Sequence, residues 1–128
     1  MKAIYGLQLI FLIVCTLLFQ SVFANDSQNF EKTIASIMLN INHSPSNKDI
    51  ETLNNIITSK SPSKNIKTII GALIKMNHKV SNSDRQQLLA ISNDKTTPPH
   101  EKTLASVLAG LNHQPSSAAK SILNDMMH

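Results

Sequence analysis

Tryptophan is missing from this 128-residue chain, and the counts of cysteine (1), tyrosine (1), glycine (3) and phenylalanine (4) are low. Each scarcity excludes something. The lone Cys15 lies inside an N-terminal apolar run, so the rest of the chain can form no disulfide and holds no thiolate for a metal or a substrate. After Tyr5, Phe11, Phe19 and Phe23 in the same run, Phe30 is the only aromatic residue. Single-stranded nucleic acid and sugar platforms need stacked rings, so neither ligand is expected. Beyond that run the glycines are Gly71 and Gly110, too few for a phosphate-cradling loop. No G-x-S-x-G or H-E-x-x-H appears, and no segment alternates apolar and polar side chains as a strand would.

What is present begins with export. Lys2 precedes a nearly unbroken apolar run from Ile4 to Phe23, which exits through Val22-Phe23-Ala24. That is the layout of a secretory signal cleaved after Ala24, and an uncleaved anchor is its rival. The mature domain is then residues 25–128, periplasmic or secreted, with no membrane span of its own. The formal charge of +4 for the whole chain falls by one when Lys2 leaves.

The mature part repeats. Asn42-His43, Asn77-His78 and Asn112-His113 stand 35 residues apart, and Lys32-Thr33, Lys67-Thr68 and Lys102-Thr103 keep the same offset. Ser46, Ser81 and Ser116 do so too, as do Leu53, Leu88 and Leu123. Three units follow, at about 26–60, 61–95 and 96–128. Each reads as two helices. Phe30, Ile34, Ile37, Met38 and Ile41 make an apolar stripe at helical spacing, echoed by Leu104, Val107, Leu108 and Leu111. Second helices carry Ile50, Leu53, Ile56 and Ile57, then Leu88 and Ile91, then Ile122, Leu123, Met126 and Met127. Asp26, Ser61 and Thr96 are placed to cap the first helices, and Ser46 with Asp49 and Ser81 with Asp84 to form capping boxes on the second. Pro62 and Pro98-Pro99 suit a helix's first turn. Asn42, Asn77 and Asn112 fall where a left-handed residue should end the first helix, and Pro45 and Pro115 stop it running on. Unit two is apolar over a wider arc (Ile66, Ile69, Ile70, Leu73, Ile74, Met76), as expected of a central unit packed on both sides.

The fold class is therefore all-α: three stacked αα-hairpins, six short helices, in a small right-handed solenoid. In period and topology this resembles the tetratricopeptide-like class of helical-hairpin repeats. The aromatic positions of that class are absent here, and Met38, Leu73 and Leu108 stand at a site those repeats keep small. The resemblance implies a concave surface for a protein or peptide partner and transfers no binding residue.

The chemistry-bearing candidates are few. The three Asn-His pairs could be metal ligands. In stacked hairpins, however, equivalent positions lie about 8–10 Å apart per neighbouring helix, while zinc ligands must each sit about 2 Å from the ion. The pairs are accordingly expected to be structural, each imidazole bonding the last carbonyls of a helix, with no metal and no cofactor. His43 with Asp49, and His78 with Asp84, recur through duplication, so no catalytic residue is assigned and no enzyme expected. Gly71, aligned with Ser36 and Ser106, marks a close helix contact. Lys64, Lys67, Gly71, Lys75 and His78 share one helical face, which with Lys79 makes a basic stripe. It is a solvated face, or a docking stripe for an acidic partner or anionic surface. The function expected is a non-enzymatic interaction module of the bacterial envelope or beyond, with an accessory role in secretion or host contact as an alternative.

Overall fold

The computed structural model describes residues 26–59 and 61–128. The expected signal peptide, 1–24, lies outside the described residues, as does Lys60. Six helices follow one another: α1 over 26–40, α2 Asn47–Thr58, α3 Lys64–Lys75, α4 Asn82–Asn93, α5 Pro99–Gly110 and α6 Ser117–Met127. No strand occurs among the described residues, and none of their helices is long and apolar enough to cross a membrane.

The first helix of every hairpin lies inside and the second outside. α3 buries Ile66, Ile69, Ile70, Ala72 and Leu73, and α5 buries Glu101, Leu104, Ala105, Leu108 and Ala109. By contrast α2, α4 and α6 each bury two side chains: Leu53 and Ile56, Leu88 and Ile91, Leu123 and Met126. The repeat writes the core in layers. Ile34, Ile69 and Leu104 are fully buried, as are Met38, Leu73 and Leu108. A third layer, Ala35, Ile70 and Ala105, sets one large side chain against two small ones, and all three are sealed. Truncating any large member leaves a cavity and costs about 2–5 kcal/mol.

The capping of α2 follows the sequence reading, while at α4 only half of the expected Ser81–Asp84 box forms. Ser46 and Asp49 form the complete reciprocal box, with Asp49 N–H donating to Ser46 Oγ at 3.1 Å and Ser46 N–H to Asp49 Oδ2 at 3.0 Å. Ser81 and Ser116 accept from the backbones of Asp84 and Ala119. The first helices depart from expectation. Ser63, not Ser61, caps α3, and Pro98, not Thr96, precedes α5, while Asp26 is already helical. Pro99 does open α5, but Pro62 stands ahead of its cap. Gly71 marks no close contact, since a Cβ there would meet nothing within 4 Å.

All three units have neighbours on both sides, because the array comes full circle. His78 N–H donates to the carbonyl of His43 at 2.7 Å, His113 N–H to His78 at 2.6 Å, and His43 N–H to His113 at 2.6 Å. This ring of three bonds ties unit two to one, three to two, and one back to three. At the opposite end of the inner helices a second set of contacts also runs round the circle. Glu101 accepts from Ser63 Oγ and Asn65 Nδ2 of unit two, and Glu31 pairs with His100 Nδ1 of unit three at 2.9 Å. At the remaining junction the corresponding residues are Phe30 and Ile66, both apolar. Closure explains why the wider apolar arc of unit two brings it no special place. Glu31 and Glu101, in register with Ile66, are just as buried.

Candidate metal centre

Each inner helix ends before its Asn-His pair, and the next residue (Ile41, Met76 or Leu111) buries its side chain, Met76 and Leu111 in extended conformation. Four residues later the chain must reverse again to start the outer helix, and Pro45, Val80 and Pro115 are buried there as well. Between these two anchors the backbone has room only for a tight reversal. The left-handed residue is therefore not the asparagine but the histidine after it: φ is 72° at His43, 66° at His78 and 62° at His113. His78 and His113 are the central residues of γ-turns, closed by Lys79 N–H on Asn77 O at 2.8 Å and Gln114 N–H on Asn112 O at 2.7 Å. The γ-turn with positive φ is rare and strained, and a histidine there costs more than a glycine would.

The cyclic backbone bonds bring the three turns together at one pole. The imidazole centroids lie 4.9, 5.0 and 4.7 Å apart, with the rings edge to face. One nitrogen from each ring can be chosen so that all three lie within 4.8 Å of one another, and the rings are exposed. This overturns the separation expected from stacked hairpins. That expectation assumed an array in which neighbours are displaced by a helix diameter; equivalent residues beside a threefold axis suffer no such displacement. The imidazoles do not bond the last helical carbonyls either. Their backbone groups bond one another, and their rings meet.

The ring nitrogens are held in particular roles. With Asn42 Oδ1 as acceptor at 2.7 Å, His43 carries its proton on Nδ1 and leaves Nε2 with a free lone pair. His78 Nδ1 and His113 Nδ1 are 3.0 Å apart and share one proton. Two nitrogens bound to one zinc at about 2.05 Å and a tetrahedral angle stand about 3.3 Å apart. The His78–His113 pair is therefore already close to the bite of a single ion. Moving the shared proton to the far nitrogen of the donor ring frees both Nδ1 lone pairs. An ion held by the three imidazoles as a tripod would have solvent on its other side, and so an outer coordination position left open.

The basic stripe fares differently. Lys64, Lys67, Lys75 and Lys79 are all exposed. Lys75, though, donates to Asp84 at 2.8 Å, joining α3 to α4, and together with Ser81 it holds that carboxyl below the ordinary range. His78 does not continue the α3 face, since it sits in the turn at the pole. Lys79, in that same turn, is bridged to Asn112 of the neighbouring unit. The asparagines Asn42, Asn77 and Asn112 flank the histidines and are likewise exposed. Compared with family models, curated proteins and solved structures, the chain gives no match.

Proposed function

We propose that this protein binds a divalent transition metal ion through His43, His78 and His113, as an exported metal-binding module rather than an enzyme. The observation that carries the reading is the convergence of three ring nitrogens within 4.8 Å, one from each repeat, on residues that hold a strained backbone to meet. Strain of this kind, repeated three times where glycine would relieve it, points to a function for the side chain. Imidazole donors without thiolates or carboxylates suit zinc, copper(II), nickel and cobalt, and disfavour magnesium and calcium. The order of affinity among divalent ions should place copper(II) above the others.

Calorimetric titration of residues 25–128 with zinc should give one ion per chain. His78→Gln should weaken binding by tenfold or more, and the triple change His43→Gln, His78→Gln, His113→Gln should abolish it with the helical spectrum retained. Binding of less than one equivalent, or unchanged binding by the folded triple variant, would overturn the reading.

A further inference from the structure

The open position of the tripod has a chemistry of its own, which rests on the metal reading above. Three neutral imidazoles leave the full double charge of the ion uncompensated. Nothing in the five-residue turns offsets it: Asn42-His43-Ser44-Pro45-Ser46, Asn77-His78-Lys79-Val80-Ser81 and Asn112-His113-Gln114-Pro115-Ser116 contain no carboxylate. The residues that follow the histidines are Ser44, Lys79 and Gln114, a hydroxyl, an ammonium and a carboxamide, all exposed. Each can donate a hydrogen bond. Apart from the histidines, Lys79 is the only residue of these turns with a charged side chain. It sits at the junction of two units, with its backbone bridged to Asn112 beside His113. Asp49 and Asp84, which adjoin two of the turns, are engaged in capping Ser46 and Ser81, and a cation among uncompensated donors is a receptor for an anion.

We infer that the metal-loaded tripod takes a small oxyanion, a carboxylate or phosphate, as its outer ligand. One oxygen occupies the open coordination position, and the remaining oxygens accept from Lys79, Ser44 and Gln114. Such an oxyanion could be a free metabolite or a group carried on a peptide. The shared requirement is a negatively charged oxygen with a second acceptor beside it.

The probe is cobalt(II), whose visible bands respond to a change of outer ligand. Cobalt-loaded protein at constant ionic strength should shift its visible spectrum on titration with acetate and with inorganic phosphate, and not with perchlorate. An acetylated peptide ending in aspartate tests the peptide-borne source against free acetate. Lys79→Glu should weaken oxyanion binding by at least tenfold and Lys79→Gln by about threefold, with cobalt affinity measured alongside. If cobalt does not bind, the metal reading itself fails. If cobalt binds and neither acetate nor phosphate alters the spectrum up to saturating concentrations, the oxyanion inference is wrong and the metal reading stands. An equal shift in the parent and in Lys79→Glu would remove the rim from the recognition and overturn the inference in that form.

Discussion

Histidine at positive φ is the least comfortable feature of this chain, and it occurs three times. A non-glycine residue in the left-handed region costs about 1–2 kcal/mol, whereas glycine there gives up only about 0.5–1 kcal/mol of chain entropy relative to alanine. His78→Gly should therefore leave the metal-free protein as stable as its parent, or more stable by about 1 kcal/mol, while weakening zinc binding. His78→Ala keeps the backbone strain and should show no such gain. Thermal unfolding of both variants without metal checks this, and a clear loss of stability in the glycine variant would show that ring contacts outweigh the strain. The histidines were visible in the sequence as a recurring pair. Their torsion was not, because it is set by where the helix stops. Asn42, Asn77 and Asn112 stand two residues past the last helical one, where a left-handed residue ends a helix whose cap keeps near-helical torsions. The buried Ile41, Met76 and Leu111, the last two of them extended, shift the requirement along the chain.

Between elements, polar groups decide how two of the three junctions close. Burial holds the Glu31 carboxyl above its ordinary value, against the pull of the His100 hydrogen bond and charge and with a further push from Glu101. The folded protein thus takes up this proton more readily than the unfolded chain does. The charged carboxylate is a cost at neutral pH, and stability from this group rises as pH falls through its raised value toward the ordinary carboxylate range, then levels off. Asp84 acts oppositely: its stabilisation is present above the ordinary range and disappears as pH falls through its depressed value. Comparing urea midpoints of the parent and Glu31→Gln from pH 7 to pH 4.5 isolates the first effect. The variant should be relatively more stable at pH 7, and the difference should shrink with acidification. A constant difference would mean that Glu31 does not change its charge state in that window. Helix positions and the box that caps α2 were legible, because periodicity and Ser-x-x-Asp are local signals, and at α4 the serine half of the expected box forms. The caps of α3 and α5 were displaced by two residues, since Pro62 and Pro98 make the preceding loops longer than the register alone suggests. Glu31 and Glu101 were readable only as exceptions, two acids on stripes that are otherwise apolar, each placed for a polar group on the next unit.

At the scale of the whole molecule, closure is the property that repeat counting does not contain. A period of 35 residues establishes that neighbours pack alike, but the angle between them is spread over many small contacts. Whether the third unit returns to the first depends on that angle. It does return, through the His43–His113 and Glu31–His100 bonds. Removing residues 96–128 should therefore do more than shorten the protein. It strips a neighbour from unit one as well as from unit two, and opens both ends of the inner bundle. Residues 25–95 should lose cooperative unfolding, followed by circular dichroism against urea, whereas an open array would keep two folded hairpins. A sharp transition in the truncated protein would show that the return contacts contribute little.

The threefold pole also has a consequence for how its ligands can vary. A site of this symmetry is ordinarily assembled from three separate subunits, so it dissolves on dilution and every substitution enters it three times over. Here the three copies are covalently continuous, so the cluster should persist at any protein concentration and each histidine answers to its own codon. Lys79, where the other two units carry Ser44 and Gln114, is what such independence permits: one unit of a symmetric pole can be given a charge while the other two stay neutral.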